Sequence, residues 1–534
     1  MRSLLLRLGL KPWLPTVASN RPMVLTVDTT KTSAGSTAAD HFKLPLTATG
    51  TYKFVVDWGD GTSNYITAWN AAAVDHTYAA PGVYTVTIYG KCYGWKFNNT
   101  GDKLKLTDVL KWGTFRIQET GLHLFGSGGA FRGCNSLTTV TATDLLDLRN
   151  QISLREAFRS CDNLTNITNV EQWDLSTIVD LSATFQFNLL YNQPLNALDV
   201  SNITTFNAMF EFARVFNQPL DNWNVSNAIQ MGFMFDGAYL FDQNIGGWNV
   251  SKCFDLNKMF QNAFAFNNGG SDSIKNWNVS KITAINSMFR GTAFNQPLND
   301  WDIARVTDMG SCFSFNSFSP FTPSAFNLPL DKWNVENVTT GSEMFRSSSF
   351  KQDIGNWWLR SATNLTGFFT DGDINNVGQV NYDNLLKGWT GTVAGAQTKQ
   401  GMSGVALVGA GLGYTVEDTL IVTGGTYAGE PASVRVTSVG TLGEITGIQL
   451  KRGSGNYTAL PANDVSVTGG TGAGATFSLT WATKFSLLKN NLSLNMGSAQ
   501  YSLADADAVA ARAILVLAVG SGGKGWTIID GGGV

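Results

Sequence analysis

The side chains best suited to chemistry in this sequence are two aspartates and a histidine that lie close together in the chain. Asp57, Asp60 and His76 could form a metal site or an acid–base pair, since carboxylate and imidazole groups serve both purposes. The two aspartates lie in a glycine-containing turn after a run of apolar residues, however, and short polar side chains commonly cap backbone N–H groups in turns. We therefore expect the aspartates to cap the turn and a partly buried His76 to hydrogen-bond to the backbone.

The other motifs that could carry chemistry are incomplete. His41 and His123 lie in no motif with a nucleophile, and the sequence contains no G-x-S-x-G, H-E-x-x-H or Walker pattern. The glycine-rich run 469–474 lacks the Lys and Ser/Thr of a phosphate loop, and Asp371-Gly-Asp373 lacks the later Glu of a calcium loop. A glycosidase carboxylate pair can be distant in sequence, so a polysaccharide-degrading enzyme stays open as an alternative. The patterns predict no catalytic residue, no cofactor and no metal.

A constant interval between tryptophan and phenylalanine organises the middle of the chain. A Trp, usually followed by Asp/Asn-Val-Ser, precedes a Phe by 12 residues, and successive units start 24 to 32 residues apart. A period in the twenties is typical of a solenoid in which each repeat forms one coil. The pairs are Trp173/Phe185, Trp223/Phe235, Trp248/Phe260, Trp277/Phe289, Trp301/Phe313, Trp333/Phe345 and Trp357/Phe369, with Leu146/Phe158 and Leu198/Phe210 as variants.

Apolar residues recur 2, 5, 8, 11 and 12 positions after the Trp position, which we write +2, +5, +8, +11 and +12. Spacing by three matches neither the strand period nor the helix period, and it favours a tight coil with short 3₁₀ pieces. Cys253 at +5 and Cys312 at +11 replace apolar residues of other repeats, so we expect both to be buried. Cys134 and Cys161 each lie in a Phe-x-x-Cys-x-x-Leu segment, the Asn/Cys position of leucine-rich repeats.

These repeats resemble the BspA-like family of leucine-rich-repeat surface proteins. The resemblance covers about residues 125 to 390 and is carried by segments such as Phe216-Asn-Gln-Pro-Leu-Asp-Asn-Trp-Asn-Val-Ser226 and Phe294-Asn-Gln-Pro-Leu-Asn-Asp-Trp-Asp-Ile303. It implies a solenoid at residues 118–396. The family includes bacterial surface adhesins and phage-encoded proteins and has no catalytic residues to transfer.

The region before the repeats, residues 23–117, resembles the PKD-like family of immunoglobulin-like β-sandwiches. The resemblance is carried by Trp58-Gly-Asp-Gly61 and by His76-x-Tyr78-x-x-Pro81-Gly-x-Tyr84-x-Val86. It implies a spacer or interaction module. Residues 1–22 precede this domain. Their apolar run is short and interrupted by Arg7 and Lys11, so a tether that packs on another protein is at least as well supported as a signal peptide.

The carboxy-terminal region is predicted to contain a domain inserted into the cap of the solenoid. Tyr382 to Trp389 resembles the first half of the segment that closes BspA-like arrays, and residues 483–534 supply a helix from Tyr501 to Arg512 and a last strand. Residues 397–482 are rich in Gly and Thr, and Leu420–Thr426 is echoed by Val465–Thr471. This insert resembles a Gly-rich β module of bacteriophage tail and other virion proteins. The predicted fold class is therefore mainly β and irregular.

Composition excludes several classes of partner. The chain has 37 basic and 40 acidic residues without a long basic run, so we expect no nucleic-acid partner. The apolar run Ala508–Val519 is too short to span a bilayer, and no membrane span is predicted. The five cysteines form no disulfide or C-x-x-C pattern.

Binding is expected where the return path of the coil lengthens, because insertions in a solenoid face solvent. Two insertions nominate Asn268 and Ser271, and Phe318 and Phe321, although the rings could instead fold back onto the stack. We predict a non-enzymatic fibre or decoration protein on the surface of a phage virion. Its amino-terminal segment would contact other virion proteins, its solenoid or inserted domain would bind a host surface protein or glycan, and it could form a homo-oligomer. The alternative is a secreted adhesin of the bacterial cell surface.

Overall fold

The computed structural model contains mainly β-structure and few helices. It forms two compact units, residues 1–253 with 258–270, and residues 254–257 with 271–534. The structure describes residues 21–117, 128–315, 324–369, 379–390, 392–393, 396–397, 400–427, 430–452, 457–462, 465–496, 500–530 and 532–534.

The first unit begins with an antiparallel sheet of five strands in the order β4-β3-β6-β1-β7, and a separate pair of β2 with β5. Alternate residues of β1, Met23, Leu25 and Val27, are buried, as expected of a strand with one face in the core. The Tyr78 hydroxyl donates to the carbonyl of Trp58 at 3.1 Å. The strands are β1 (Met23–Asp28), β2 (His41–Lys43), β3 (Leu46–Asp57), β4 (Ser63–Ile66), β5 (Asp75–Thr77), β6 (Val83–Trp95) and β7 (Leu106–Lys111), with a 3₁₀ helix at Ala72–Val74.

The repeats of the first unit stack one coil on the next. Parallel bridges join Ser153 to Asp180, Asp180 to Thr205, and Thr205 to Gln230. The predicted 3₁₀ pieces are rarer than expected, since most of each described coil consists of turns that reverse the chain without a helix. Short strands β8 (Thr139–Val140) and β9 (Asn166–Ile167) pair in parallel, and 3₁₀ helices lie at Val170–Gln172 and Asn268–Gly270.

The repeat pattern predicted the core correctly. In the repeat of Trp277, the residues at +2, +5, +8, +11 and +12 are all at most 2% exposed. The +12 rings form columns, in which Phe210 stacks on Phe235 at 5.7 Å and Phe235 on Phe260 at 5.8 Å between ring centroids. The Trp rings do the same, with 6.4 Å between Trp223 and Trp248. Cys253 and Cys312 are buried as predicted, and so are Cys92, Cys134 and Cys161.

The turns of the coils use left-handed backbone at residues that are not glycine. Position +10 has a φ between 53° and 59° in the eight repeats from Leu146 to Trp333, and Gly367 at +10 of the Trp357 repeat has 67°. Such conformations are uncommon for residues with a Cβ, because the side chain crowds the backbone. The residues concerned are Glu156, Ala183, Ala208, Phe233, Lys258, Ser287, Ser311 and Glu343.

The second unit contains further coils followed by a mixed terminal region. Parallel bridges join Asp255 to Ala284, Ala284 to Asp308, Asp308 to Thr340, and Thr340 to Asn364. A 3₁₀ helix lies at Asp272–Asn276. Beyond the coils come α1 (Gln379–Thr390), β10 (Thr392–Val393), β11 (Ala396–Gln397), α2 (Lys484–Leu487), β20 (Ser493–Asn495), α3 (Ala506–Val516), a 3₁₀ helix at Val519–Ser521 and β21 (Thr527–Ile529), with β20 parallel to β21.

Between β11 and α2 the chain forms an eight-stranded sheet in the order β14-β17-β12-β19-β18-β13-β15-β16. Its first long strand pairs antiparallel with its last, so that Gln400 lies opposite Thr483 and the two ends of the segment lie side by side. The strands are β12 (Gln400–Leu412), β13 (Thr419–Val422), β14 (Thr426–Tyr427), β15 (Ser433–Val439), β16 (Ile445–Arg452), β17 (Tyr457–Ala459), β18 (Val465–Thr468) and β19 (Ala473–Thr483).

This sheet contacts the coils of the same unit through charged side chains. Lys451 Nζ lies 2.7 Å from Asp302 Oδ2, and Arg435 Nη2 lies 3.9 Å from the same oxygen. Arg305 pairs with Glu417 of the sheet. Because the Arg435 side chain is only 4% exposed, this contact is a partly desolvated one.

Candidate binding face

We expected His76 to hydrogen-bond to the backbone. In the structure it pairs with a side chain instead. His76 Nε2 lies 2.8 Å from Asp60 Oδ2, and its ring stacks on Trp58 at 4.6 Å between centroids. The aspartates cap the turn as predicted, since Asp57 Oδ1 accepts from Gly59 N and Asp60 Oδ1 accepts from Thr62 N. The pKa of Asp60 is lowered by its hydrogen bonds with Thr62 and His76, which outweigh the opposing effect of burial. The pair therefore supports the turn.

The residues nominated for binding occupy different environments. Asn268 is fully buried, and its Oδ1 accepts from Ile245 N at 3.0 Å, so its side chain is not available as a surface contact. Ser271 caps the 3₁₀ helix Asp272–Asn276 by accepting from Ser273 N. Phe318 and Phe321 lie outside the described residues, as do residues 1–20 of the predicted tether.

A group of partly exposed aromatic side chains lies instead on the coils of the first unit. We call Phe187, Phe212, Phe233, Tyr239 and Phe264 the aromatic strip; each is only partly buried. Phe187 and Phe212 occupy position +14 and have φ values of 61° and 57°, and Phe233 at +10 has 59°. A bulky residue in left-handed backbone is a conformational outlier that costs free energy, so a reason for the ring should be sought outside the turn.

Four rings of the strip pack in two pairs. Phe187 lies 5.0 Å from Phe212 at an angle of 6°, with the Arg159 guanidinium 5.7 Å from the centre of the Phe187 ring. On the far side of Phe212, a Cβ added to Gly237 would come within 2.5 Å of the ring, so this coil needs a glycine there. Tyr239 packs against Phe264 with 4.6 Å between ring centroids and a tilt of 33°, and the Arg214 guanidinium lies 5.2 Å from the centre of the Tyr239 ring.

A column of polar side chains at position +13 runs through the same coils. Gln186 Nε2 donates to Glu211 Oε2, and Gln261 Nε2 donates to Asp236 Oδ2 at 3.0 Å. Backbone bonds between coils set the spacing of this column, for example Phe212 N to Asp236 O at 2.7 Å. We call Arg159, Gln186, Glu211, Asp236 and Gln261 the polar column.

Both carboxyl groups of the polar column, the buried Asp236 and the partly buried Glu211, have raised pKa values. Burial raises the pKa of Asp236 to about 7, and the neighbouring charge of Glu211 adds to the effect. Burial also raises the pKa of Glu211, against the opposing influence of Gln186, Arg159 and Lys258. Asp236 is 3% exposed, and its Oδ1 has no hydrogen-bond donor in the described part of the chain. The carboxylate form of Asp236 is therefore disfavoured at this position.

The second unit provides an internal comparison for the strip. Its +10 positions hold Ser287, Ser311 and Glu343, and its +14 positions hold Gly291 and Ser347 with a single ring, Phe315. Coils of the same construction therefore form with small or polar residues at these positions. The aromatic strip is not required by the repeat itself, which makes it the best candidate for a binding surface.

Reasoning from the sequence missed the strip because it followed the inward positions. A signal was present, since Phe187 and Phe212 stand at a position where most other repeats have Gly, Ser or Asn. Large apolar residues outside the core pattern of a repeat indicate surface apolar area, and such area marks interaction sites.

No helix among the described residues is long and apolar enough to cross a membrane. Within the same residues, no three His, Cys, Asp or Glu side chains come together as a metal site.

Comparison with known proteins finds one family whose model matches the repeat region. Residues 152–273 and 269–381 each match the protein family described as Mycoplasma protein of unknown function, DUF285. Both matches lie in the repeat region, and they support its assignment to the BspA-like family. No curated protein matches the chain. No solved structure matches it either.

Proposed function

We propose that this chain is a non-enzymatic binding protein displayed on the surface of a phage virion, where its coils contact a protein of the host surface. The aromatic strip carries the proposal. Three of its five rings, Phe187, Phe212 and Phe233, occupy left-handed backbone positions that most other repeats fill with smaller or polar residues. In this proposal the coils belong to a leucine-rich-repeat-type solenoid, which the parallel bridges from coil to coil support, and the five-stranded sheet belongs to a PKD-like, immunoglobulin-like domain.

The way the rings stack favours a protein over a glycan as the partner of the strip. A sugar ring packs best on the open face of an aromatic ring, where the electron density is highest. The faces of Phe187 and Phe212 are covered by each other and by Arg159, so their edges form the accessible surface. Ring edges beside charged side chains suit apolar and acidic side chains of a protein interface.

The test compares two variants of the purified chain for binding to host cells. Phe187→Ser combined with Phe212→Ser places at +14 a residue that Ser160 and Ser347 show to be compatible with the turn. We expect this variant to lose at least about tenfold in affinity, since apolar rings at interface centres contribute strongly. The matched control is Ile229→Thr, which removes another exposed apolar residue at a position where other repeats have Thr.

The nature of the partner is tested on treated cells. Protease treatment should abolish binding of the wild-type chain, whereas periodate oxidation of glycans should leave it intact. Equal binding by the Phe187→Ser/Phe212→Ser variant and the wild type would contradict the role of the strip.

The virion assignment is tested independently of the strip. Mass spectrometry of purified phage particles should detect the chain. A secreted bacterial adhesin is the second candidate, favoured by the match to a family described from Mycoplasma. Detection of the chain on bacterial cells and its absence from particles would establish that candidate instead.

A further inference from the structure

A cleft beside the five-stranded sheet of the first unit carries an exposed tryptophan outside the repeats. Trp69 follows β4 and precedes the 3₁₀ helix Ala72–Val74, and it remains 47% exposed. In contrast to the rings of the aromatic strip, it stacks on no other ring of the described residues, so a face of the indole is open to a ligand. An exposed ring of this size with no packing role points to binding.

The cleft has the dimensions of a small-ligand site. Its volume is about 700 Å³, within the range of roughly 300–1,000 Å³ that small-molecule sites occupy. Four segments form its walls: the loop Gly35–Thr37 before β2, the connection from β2 to β3, the chain after β6, and the Trp69 loop. A bond from Lys96 N to Pro45 O at 2.8 Å ties two of these walls together. The site is therefore built on the sheet and does not depend on one loop.

The acidic groups along the cleft are already engaged. Asp102 is buried, and its carboxylate accepts from Thr37 N at 2.8 Å and from Lys43 N at 2.7 Å. Lys105, also buried, lies 3.3 Å from Asp102 and neutralises it. Asp75 Oδ1 lies 3.1 Å from His41 Nδ1.

The ammonium groups along the cleft are those of Lys43 and Lys96. Lys43 is exposed, and Lys96 is half-buried. Burial lowers the pKa of Lys96, and the charge of Glu156 opposes this effect, so the exposed Lys43 is the cation that the cleft offers to a ligand. The cleft thus combines an exposed aromatic side chain with an exposed cationic side chain and a polar wall.

We propose that this cleft binds an acidic saccharide, with a pyranose ring stacked on Trp69 and its carboxylate facing Lys43. The C–H face of a pyranose suits the electron-rich face of an indole, and hydroxyl groups suit the polar wall. This is a second site, in a different domain from the aromatic strip, and its ligand is a glycan and not a protein.

The test measures binding of the full chain to three matched pairs of probes by calorimetry. The pairs are oligogalacturonides with their methyl esters, sialyllactose with lactose, and hyaluronan oligosaccharides with chitooligosaccharides. We expect at least one acidic probe to bind, more tightly than its neutral partner and less tightly at high salt, because charge attraction is screened. Failure of all three acidic probes to bind, or equal binding of the neutral partners, would overturn the proposal.

Substitutions locate the site. Trp69→Ala should weaken binding of the acidic probe at least about tenfold, whereas Tyr65→Ala, which removes another exposed ring that does not line the cleft, should leave it unchanged. Lys43→Met keeps the aliphatic stem and removes the charge, so it should abolish the preference for the acidic probe. Undiminished binding by the folded Trp69→Ala or Lys43→Met variant would place the ligand elsewhere. None of these substitutions touches the aromatic strip, so cell binding through the strip is unaffected by either outcome.

Discussion

The indole N–H groups of the repeat tryptophans have partners in some coils and not in others. Trp223 Nε1 donates to Leu195 O at 2.8 Å, which ties its coil to the preceding one. Trp173 Nε1 is buried with no hydrogen-bond partner among the described residues. Both rings are at most 6% exposed, so the two positions differ mainly in this bond.

Replacement of each tryptophan by phenylalanine isolates the contribution of the bond. Trp223→Phe removes the indole donor from the Leu195 carbonyl, which keeps only the bond from Leu198 N at 3.2 Å, whereas Trp173→Phe removes an unpaired polar group. We expect Trp223→Phe to reduce the free energy of unfolding by about 1–3 kcal/mol more than Trp173→Phe. Urea denaturation of the two variants measures the difference, and equal losses would show that ring volume alone matters.

The buried carboxyl group of Asp236 should make stability depend on pH. Its pKa is about 7 in the folded chain against 3.8 as the ordinary value, so the folded state binds the proton more tightly. Stability from this group is therefore highest below pH 4 and falls as the pH rises towards 7. Between pH 5 and 8, Asp236→Asn should remove this fall and stabilise the chain at pH 8, by on the order of 1–4 kcal/mol.

The control for this pH dependence is Asp199→Asn on a neighbouring coil. Hydrogen bonds from Ser201 lower the pKa of Asp199, so this carboxyl group is ionised throughout pH 5 to 8. It therefore adds no pH dependence to the free energy of unfolding in that range. Denaturant midpoints at pH 5 and 8 provide the measurement. If the midpoint of the Asp236→Asn variant fell between pH 5 and 8 as much as that of the wild type, the raised pKa of Asp236 would be contradicted.

At the scale of elements, the inward positions were predictable and the surface positions were not. Each inward offset meets the same neighbours in every coil, so burial imposes apolar residues there and the pattern repeats in the sequence. Positions +13 and +14 lie outside that constraint, and their residue types vary from coil to coil. The strip therefore emerges only when Phe187 and Phe212 are brought together by stacking.

The pairing of distant strands could not be predicted from the sequence either. The Gly- and Thr-rich composition predicted strands between 397 and 482, but no local pattern states that β12 lies between β17 and β19. The contact of β15 and β16 with the coils depends on Arg435 and Lys451 meeting Asp302, more than a hundred residues earlier. Such charge pairs follow from the tertiary arrangement alone.

Asp302 is accordingly predicted to hold the eight-stranded sheet against the coils. Asp302→Asn removes the charge that faces Lys451 and the buried Arg435, which leaves Arg435 with Glu417 as its remaining carboxylate. We expect a loss of about 1–3 kcal/mol in the free energy of unfolding. Hydrogen exchange should also become faster in β15 and β16. Asp300→Asn is the control. The Asp300 side chain is 69% exposed in its pair with Lys332, so this pair should contribute little to the free energy of unfolding. Equal effects of the two substitutions would refute the proposed contact.

At the scale of the whole molecule, the cysteines report on the integrity of both units. All five are buried thiols, four in the first unit and Cys312 in the second. Burial raises the pKa of Cys92, Cys134, Cys161 and Cys312, so the reactive thiolate is suppressed as well as shielded. None needs a disulfide to hold the fold, because large aromatic columns supply the buried apolar area.

We therefore expect the native chain to show no rapid reaction with a thiol reagent at pH 8, and five reactive thiols in guanidinium chloride. A Lys31→Cys variant, with the new thiol at an exposed position, should add one fast-reacting group and so confirm access of the reagent. At intermediate denaturant, peptide mapping of the labelled cysteines assigns each opening event to a unit, since labelling of Cys312 marks the second unit. Fast labelling of any of the five in the absence of denaturant would mean that the coil or sheet around that cysteine opens far more readily than its complete burial implies.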